Sequence, residues 1–476
     1  MYKNYGLFID GGWVRTDAAI EVISPVTGEP LAEAPSASAS DTAAALDAAA
    51  AALPRLHAMG GFGRADALHR AADEMLRRAD EAAHMISSET GKPIAQSGRE
   101  WMLACDQFRW YAEEARRIYG RIVESRVPGG RFEVSREPVG VVAAFTAWNF
   151  PAALPARKLA PALAAGCPVV LRPSQQTPGV AMVMHDCLRT SGLPNGSVNL
   201  VVGTTDNTYV PIMADKRVRK VSLTGSTRVG QQMIRDAAAT VKKVSMELGG
   251  NAPLIIYEDA DLEKALDLAV PTKFANCGQV CVTPDRFFVH DSLHDAFVAS
   301  FVARARQIRL GDGLSPDVGM GPLISAHRRS EVEAVVADAV KAGARLVQGG
   351  RRPAGLNEGF FFEPTVLTEV TDTMKVFCEE NFGPIAAITR FSSEEEVLER
   401  ANASEMGLSA YAFTRSPERA RRTAAALKSG MVGINSFALA ASEVPFGGTN
   451  HSGMGREGGS EGIADYLDTK LAHIVF

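Results

Sequence analysis

Short runs rich in Val and Ile alternate with longer, Ala-rich segments along most of this 476-residue chain. The run at 139–146 (VGVVAAFT) is apolar along nearly its whole length, which is typical of a strand buried on both faces of a parallel sheet. Pro151 opens the helical segment that follows, and Gly166 ends it. Alternation of this kind predicts an α/β architecture built on parallel sheets.

The same alternation predicts two groups of elements. The first group continues with strands at 168–171, 197–202, 218–223 and 241–246, a helix at 178–191 and a helix ending near 239. The second group has strands at 254–257 and 286–290 and helices at 262–274 and 293–309. We therefore expect a first domain over 1–121 and 139–249 and a second α/β domain over 250–449.

Two pieces of the chain fit neither domain. The first is 122–138, a strand-like stretch that Pro128, Gly129 and Gly130 interrupt, and the second is the segment 450–476. We expect them to form a small projecting β element through which subunits pair. A surface hairpin with no partner is the alternative.

The composition excludes several classes of function. With 46% apolar residues, 22% charged residues and a net charge of −5, the chain predicts a globular protein without a basic surface for nucleic acid. No apolar run approaches the ~18–20 residues of a membrane span, and residues 1–6 do not resemble a secretory signal. The six cysteines show neither metal-ligand nor disulfide spacing. These features predict a cytoplasmic protein with reduced thiols, without a metal site and without a membrane partner.

Cys281 lies in a loop with Gly and Gln after the predicted helix 262–274, not on the apolar face of a helix. A single cysteine is more often a packed structural thiol than a catalyst, so the residue alone decides nothing. Its irregular and approachable loop is nevertheless the setting that a nucleophile requires. The nearest histidine, His290, lies on a predicted strand, which does not favour a Cys–His hydrolase pair.

Two further polar residues follow predicted strands. Glu247 comes at the end of strand 241–246, and Asn149 follows strand 139–146. The carboxyl ends of parallel strands form the edge at which α/β proteins bind ligands. An enclosed carboxylate there can act as a general base, and a carboxamide can donate to an oxyanion. Taken alone, each residue is also explained as a surface carboxylate or an ordinary turn residue.

The segment 225–230 (GSTRVG) follows a predicted strand and opens a helix. Backbone N–H groups at such a helix start can face a pyrophosphate. The segment is not the G-x-G-x-x-G dinucleotide fingerprint, and Ser226 can equally be a simple helix N-cap.

Several segments, in one order along the chain, carry a resemblance to a known family. They are T-A-W-N-F-P at 146–151, R-P-S at 172–174, L-T-G-S-T-R-V-G at 223–230, M-E-L-G-G-N at 246–251, N-C-G-Q-V-C at 276–281, E-E-N-F-G-P at 379–384 and P-F-G-G-x-x-x-S-G-x-G-R-E at 445–457. Over essentially its whole length the chain resembles the NAD(P)-dependent aldehyde dehydrogenase superfamily. Among its members it looks most like the succinate-semialdehyde dehydrogenase group.

The resemblance implies a Rossmann-like parallel-sheet cofactor domain, an α/β catalytic domain and a small β oligomerisation element that forms a homodimer or homotetramer. It implies that Cys281 is the nucleophile, Glu247 the general base and Asn149 the oxyanion donor beside the backbone N–H of Cys281. An aldehyde would then be oxidised to an acid through a thiohemiacetal and a thioester. The implied contacts of an NAD or NADP cofactor are Thr146, Trp148, Lys158, Arg172, Ser174, Gln175, Gly225, Ser226, Gly230, Glu380 and Phe382.

One departure from the family pattern bears on the cofactor. The family turn is usually Lys-Pro-(Ser/Ala)-Glu, whereas this chain has Arg172 and Gln175 at its two ends. The family glutamate repels a 2′-phosphate, and a neutral Gln175 removes that repulsion. Arg172 can in addition bind the phosphate as a fork, which predicts that NADP is accepted. The alternative is that Arg172 only holds the ribose, as the family lysine does.

A second departure bears on the substrate. The related enzymes are expected to clamp a distal carboxylate with two arginines and a serine, and only Arg157 matches. Ala275 replaces the second arginine, so the sequence leaves open a semialdehyde held by Arg157 alone or a bulkier aromatic or aliphatic aldehyde. The candidate substrate-binding residues are Arg157, Leu154, Val280, Val282, Ala438 and Ala440.

Other readings of the chain remain open. A catalytically silent relative would serve as a structural or binding protein, although every chemical role of the mechanism is filled. A CoA-acylating relative would not need the general base that Glu247 supplies, and a cysteine esterase would be a side activity only. Cys277 could in principle form a regulatory disulfide with Cys281, although a reduced thiol is favoured.

Overall fold

The structure is a computed structural model that describes all residues, Met1–Phe476, and it confirms the predicted α/β class. The strands are β1 (Leu7–Ile9), β2 (Gly12–Val14), β3 (Ala19–Ile23), β4 (Pro30–Pro35), β5 (Arg121–Glu124), β6 (Gly130–Pro138), β7 (Val141–Phe145), β8 (Val169–Arg172), β9 (Val198–Leu200), β10 (Val218–Thr224), β11 (Lys243–Glu247), β12 (Ala252–Ile256), β13 (Pro284–His290), β14 (Arg345–Gln348), β15 (Thr365–Thr368), β16 (Ile385–Phe391), β17 (Met406–Gly407), β18 (Ser409–Phe413), β19 (Met431–Ile434), β20 (Thr449–Asn450), β21 (Gly453–Met454) and β22 (Leu467–Val475).

The helices occupy the intervals between these strands. They are α1 (Ala39–Ala58), α2 (Gly60–Arg77), α3 (Ala79–Thr90), α4 (Ile94–Ala115), α5 (Ala153–Ala165), α6 (Gly179–Arg189), α7 (Val210–Ala214), α8 (Thr227–Ala238), α9 (Leu262–Phe274), α10 (His294–Arg306), α11 (Ala326–Lys341), α12 (Lys375–Cys378), α13 (Glu394–Asn402), α14 (Pro417–Ala426) and α15 (Glu461–Ala464). Helix α9 has the predicted bounds, and most other predicted elements begin or end a few residues away. None of the helices has both the length and the apolar character needed to cross a membrane.

The first sheet has eight strands in the order β2-β1-β9-β8-β7-β10-β11-β21. Its central strands from β9 to β11 are parallel, and β7 is buried at every residue, as the apolar run predicts. The strand order reverses between β7 and β10. In doubly wound α/β sheets, ligands bind in the crevice beyond the carboxyl ends of the strands at such a reversal.

The second sheet has seven strands in the order β14-β15-β16-β13-β12-β18-β19, and only its edge strand β14 is antiparallel. Each large sheet has its own apolar core, because 67 buried residues cluster around the first sheet and 42 around the second. The loop that carries Cys281 connects α9 to β13 of the second sheet. Asn149 and Glu247 lie at the ends of strands of the first sheet, so the sheets supply different parts of the site.

The two segments that fit neither predicted domain, 122–138 and 450–476, pair with each other. Strand β6 lies between β5 and β22 in a three-stranded antiparallel sheet, with Leu467 opposite Pro138 and Val475 opposite Gly130. The segment 450–476 is not confined to this sheet, however. Strand β21 pairs with β11 and completes the first sheet, because its Gly453 lies opposite Glu247.

Candidate active site

A cleft of about 390 Å³ opens where the first sheet reverses its strand order and the second sheet faces it. Its walls combine the segments after β7, β10 and β11 with the Cys281 loop and the start of α11. The lining residues are Ala147, Trp148, Asn149, Leu154, Gln176, Thr224, Gly225, Ser226, Leu248, Gly249, Cys281, Ile324, Ser325, His327, Arg328, Glu331, Glu380 and Phe382.

The backbone before Cys281 makes a sharp left-handed turn. Asn276, Cys277 and Gly278 have φ values of 47°, 57° and 70°. A Cβ atom on Gly278 would lie 2.1 Å from the carbonyl oxygen of Gly383, so only glycine fits there. The turn directs Cys281 into the cleft and Cys277 into the apolar core of the second sheet. Both thiols are free in the structure.

Asn149 is buried beside this loop, and its side chain is anchored to it. The Nδ2 atom donates a hydrogen bond to the carbonyl oxygen of Gln279 at 3.1 Å. The carboxamide carries two N–H groups, so the second remains available to a ligand in the cleft. The Oδ1 atom is buried without a protein partner.

Glu247 ends β11 and is only 3% exposed. Neither of its carboxylate oxygens has a hydrogen-bond partner within the protein. Burial raises the pKa of this carboxyl well above its usual range, and the nearby Glu457 carboxylate adds to the effect, whereas Lys158 opposes it. A carboxyl group with these properties can accept and release a proton near neutral pH.

The Cys281 thiol is neutral in this environment. Burial raises its pKa to about 12, and the carboxylates of Glu380 and Glu247 raise it further, while Arg157 acts in the opposite direction. Because the thiolate is the reactive form, the thiol needs a base at the moment of attack. Glu247 acts electrostatically on this thiol, and both of its oxygen atoms are free of protein partners.

Glu380 and Phe382 form the wall that the second sheet contributes. The Oε1 atom of Glu380 accepts a hydrogen bond from the backbone of Gly250 at 2.9 Å, and burial raises the Glu380 pKa to about 7. A Cβ atom on Gly249 would lie 2.6 Å from Oε2 of Glu380, so glycine permits this close approach. Phe382 contacts Trp148 edge to face, with ring centroids 5.6 Å apart. The wall thus joins a carboxylate to a flat aromatic surface.

The turn after β8 lies beside the cleft. The Nη2 atom of Arg172 donates to the carbonyl oxygen of Gly203 at 3.1 Å, and the side-chain amide of Gln175 donates to the same oxygen. The Ser174 hydroxyl accepts from the backbone of Gln176, which lines the cleft. Arg172 and Gln175 are therefore adjacent, and no carboxylate contacts Arg172.

Several observations show that the cleft fits a dinucleotide. Thr146 and Thr224, at the ends of neighbouring strands, have buried hydroxyl oxygens without protein partners. Ser226 caps α8 by accepting from the backbone of Val229 at 3.4 Å, and Gly225 precedes the helix start, where an added Cβ would lie 3.2 Å from the Leu223 side chain. Free N–H groups at a helix start bind phosphate oxygens.

Two predicted cofactor residues occupy other positions. Lys158 does not line the cleft, because it is fully buried in an ion pair with Glu457 and donates to the Ser222 hydroxyl at 3.1 Å. Gly230 lies within α8, where an added Cβ would be 2.5 Å from the side chain of Leu248. Its role in the structure is to let the helix approach the strand closely, since Leu248, not Gly230, reaches the cleft.

Arg157, which the sequence predicts to bind the substrate, is buried close to Cys281 but is not among the residues that line the cleft. Its Nη2 atom donates to the carbonyl oxygen of Ala440 at 3.2 Å, and the guanidinium stacks 4.5 Å from the Phe446 ring centroid. The Nη1 atom is buried without a partner. Phe446 belongs to a small apolar cluster against which Cys281, Val282 and Ala440 pack. Arg157 therefore presents an unused donor close to the nucleophile.

Other predicted substrate residues contribute unequally. Leu154 lines the cleft, whereas Val280 does not reach it and Ala438 is exposed to solvent. The sequence analysis missed the wall formed by Ile324, Ser325, His327, Arg328 and Glu331. The available signal was the helix N-cap at Ser325, which accepts from the backbone of Arg328 at 3.1 Å.

Comparison with known proteins agrees with this geometry. Residues 13–472 match the Aldehyde dehydrogenase family, so the chain belongs to that family and is an oxidoreductase acting on aldehydes. It is 44% identical to 3-sulfolactaldehyde dehydrogenase of Pseudomonas putida, over 97% of this chain and 95% of that protein. It is 42% identical to the NADP(+) succinate-semialdehyde dehydrogenase of Escherichia coli K12, over 97% of this chain and 96% of that protein. The predicted family and its likeness to succinate-semialdehyde dehydrogenases are thereby confirmed.

The fold comparison leads to the same family. The crystal structure of succinate-semialdehyde dehydrogenase from Burkholderia pseudomallei superimposes with a TM-score of 0.97 and 42% sequence identity. The similarity covers 99% of this chain and 98% of that chain. The two large sheets and the small one are therefore a shared architecture.

Proposed function

We propose that the protein oxidises an aldehyde to a carboxylic acid through covalent attachment to Cys281. The observation that carries the proposal is that Cys281 and Asn149, supplied by two different sheets, line one cleft, and that the buried Glu247 carboxyl is close enough to act electrostatically on the Cys281 thiol. Glu247 in particular is buried with both oxygens free, which a merely structural carboxylate would not be.

The chain's own groups account for each proton and bond. Glu247 takes the proton of the Cys281 thiol, and the sulfur bonds to the aldehyde carbon. The free N–H of Asn149 and the backbone N–H of Cys281 donate to the oxyanion that forms. After the carbon is oxidised, Glu247 releases the thiol proton to solvent and then takes a proton from water, whose oxygen bonds to the thioester carbon. The carbon–sulfur bond then breaks, Glu247 returns its proton to the sulfur, and the acid leaves.

A nicotinamide dinucleotide bound in the cleft would supply the acceptor for the hydride that leaves the substrate. Trp148, Gly225, Ser226, Glu380 and Phe382 would hold it, because they line the cleft. Arg172 and Gln175 provide a cationic and a neutral side chain next to this wall. We infer that NADP is accepted as well as NAD, in agreement with the NADP(+) named for the E. coli relative.

The substrate that fits best is an aldehyde with an anionic group at its far end. Arg157 offers a buried, unpartnered Nη1 atom near Cys281, and a buried cation without a partner favours an anionic ligand. The relatives act, by their names, on aldehydes that carry a sulfonate or a carboxylate. With Ala275 and Ala440 small, bulkier aldehydes remain the second candidate.

The decisive experiment is an aldehyde panel read by NAD(P)H absorbance with both cofactors. Cys281→Ala should abolish turnover, whereas Cys378→Ala should retain it, because Cys378 is an exposed thiol away from the cleft. Unchanged NAD(P)H production by Cys281→Ala would refute the covalent mechanism. Product formation that requires CoA would instead indicate acyl transfer.

Each part of the chain has its own role in the proposed function. We assign cofactor binding to 1–121 and 139–249, catalysis to 250–449, and subunit pairing to 122–138 with the later part of 450–476. The sheet of β5, β6 and β22 supports the last assignment, because Ile122, Leu471 and Phe476 are 70%, 62% and 91% exposed. Light scattering should show a homodimer or homotetramer. The double substitution Ile122→Asp and Leu471→Asp should dissociate it.

A further inference from the structure

A buried ion pair lies behind the site, and the proposed reaction does not use it. Lys92, between α3 and α4, bonds through Nζ to Oε2 of Glu100 in α4 at 2.5 Å. Each side chain is 1% exposed. A buried ion pair is weak evidence for stability, because apolar side chains of similar volume often serve a fold equally well.

Both charged side chains form hydrogen bonds with the backbone of the turn that carries Asn149. The Nζ atom of Lys92 donates to the carbonyl oxygen of Asn149 at 2.8 Å and lies 4.3 Å from the centroid of the Phe150 ring. The Oε1 atom of Glu100 accepts from the backbone of Ala152 at 2.8 Å and of Ala153 at 3.2 Å. The pair therefore holds the backbone on both sides of Phe150 and caps the start of α5.

The opposite side of the same turn is tied to the Cys281 loop. The Nδ2 atom of Asn276 donates to the carbonyl oxygen of Asn149 at 3.1 Å, and the Nδ2 atom of Asn149 donates to the carbonyl oxygen of Gln279 at 3.1 Å. The Asn149 carbonyl thus receives one donor from Lys92 and one from the nucleophile loop. Its backbone position is fixed between them.

We propose that Lys92 and Glu100 are positioning residues that hold the carboxamide of Asn149 in register with Cys281. The proposal rests on the proposed function, since it presumes that Asn149 stabilises an oxyanion. A donor aimed at a developing charge works only if it is held in place beforehand, and a misplacement of about 1 Å can lower a rate ~10²-fold. Neither residue touches the substrate.

The competing explanation is that the pair only stabilises the fold. The chain offers a matched control in Glu89, a fully buried carboxylate that accepts from the backbone of Gly179 at 2.7 Å at the start of α6. It caps a neighbouring helix as Glu100 does but makes no contact with Asn149. Glu89→Gln should therefore change stability without changing kcat at saturating cofactor.

The test is a double-mutant cycle on the full-length enzyme. Lys92→Met with Glu100→Leu removes both charges together, and kcat is divided by the fraction of Cys281 that iodoacetamide titrates. We expect kcat per reactive thiol to fall ~10-fold or more, with the aldehyde KM nearly unchanged. Asn149→Ala should by itself lower kcat ~10²–10³-fold, and adding the same two substitutions to it should then have little further effect.

Three outcomes would overturn the proposal. The first is a full further loss in the Asn149→Ala background, and the second is a loss explained entirely by thiols that no longer titrate. The third is an equal loss in Glu89→Gln. If the variant with Lys92→Met and Glu100→Leu does not fold, the same cycle is measured with Glu100→Gln, which preserves the side-chain volume. The proposed function is tested separately: it fails if the Cys281→Ala variant turns over at the wild-type rate.

Discussion

The reaction side and the substrate side of the cleft are built differently. On the reaction side, Asn149 and Cys281 are tied by hydrogen bonds that cross from one sheet to the other. On the substrate side, apolar residues that include the Phe446 ring surround one guanidinium, and one of its nitrogen atoms has no partner. In the proposed function, the chemistry depends on backbone geometry, whereas the choice of aldehyde depends on a few exchangeable side chains. Relatives of similar identity accordingly carry the names of different aldehydes.

The largest effect should come from the reaction side. Glu247→Gln keeps the volume but removes the base, so steady-state turnover should fall ~10²–10⁴-fold. Because water attack is blocked, the acyl group should remain on Cys281, which mass spectrometry of the quenched enzyme would detect. An acyl-enzyme that hydrolyses at the wild-type rate would contradict a role for Glu247 in hydrolysis, whereas an inactive variant without any acyl-enzyme would place the loss at the activation of the thiol.

The raised pKa of Glu247 allows its role as a base to be tested separately, through the pH dependence of turnover. The carboxyl is protonated and cannot act as a base at low pH, and it becomes a base as the pH rises through its raised pKa. Turnover of p-nitrophenyl acetate, which needs no cofactor, should thus increase with pH over a range well above the usual carboxyl pKa. Glu247→Gln should lose this increase, and a profile shared by both proteins would assign the titration to another group.

An intermediate effect is expected on the substrate side. Arg157→Met should lower kcat/KM for an aldehyde with a distal carboxylate or sulfonate by ~10–100-fold, since a charged hydrogen bond contributes about 1.5–3 kcal/mol. An uncharged aldehyde of the same length should be affected little. Equal losses for both aldehydes would show that Arg157 acts in the reaction itself and not in the choice of aldehyde.

The smallest effect should come from the cofactor turn. Gln175→Glu places a carboxylate beside Arg172, which competes for the guanidinium and repels a 2′-phosphate. We expect kcat/KM for NADP to fall about tenfold while that for NAD changes little. The ratio of the two constants, measured with one aldehyde, is the readout. An unchanged ratio would exclude the turn as the determinant of cofactor preference.

The sequence predicts those parts of the molecule that carry a local signal. The buried strand β7, the helix α9 and the positions of Asn149 and Glu247 at strand ends follow from apolar periodicity and helix boundaries. Long-range partners leave no such signal. The pairing of β21 with β11 and the ion pair of Lys158 with Glu457 join residues far apart in the chain.

The left-handed turn shows a second limit. Gly278 is required by the nearby carbonyl of Gly383, which no local pattern around 278 reveals. The same holds for Lys92, whose partner Asn149 becomes apparent only when α3, α4 and the turn after β7 are assembled.

Strand β21 has a consequence for the order in which the protein is made. Leu248 donates to the carbonyl oxygen of Ser452 at 3.0 Å, and the Ser452 hydroxyl donates to the carbonyl oxygen of Gly249 at 2.7 Å. A ribosome delivers Cys281 and Glu247 long before it delivers Ser452 and β21. Until then β11 is an open sheet edge, to which a chaperone or another nascent chain can bind. The edge strand that ends in Glu247 is therefore completed late in translation, so a message cut short before residue 452 yields a chain with an open edge and an incomplete site.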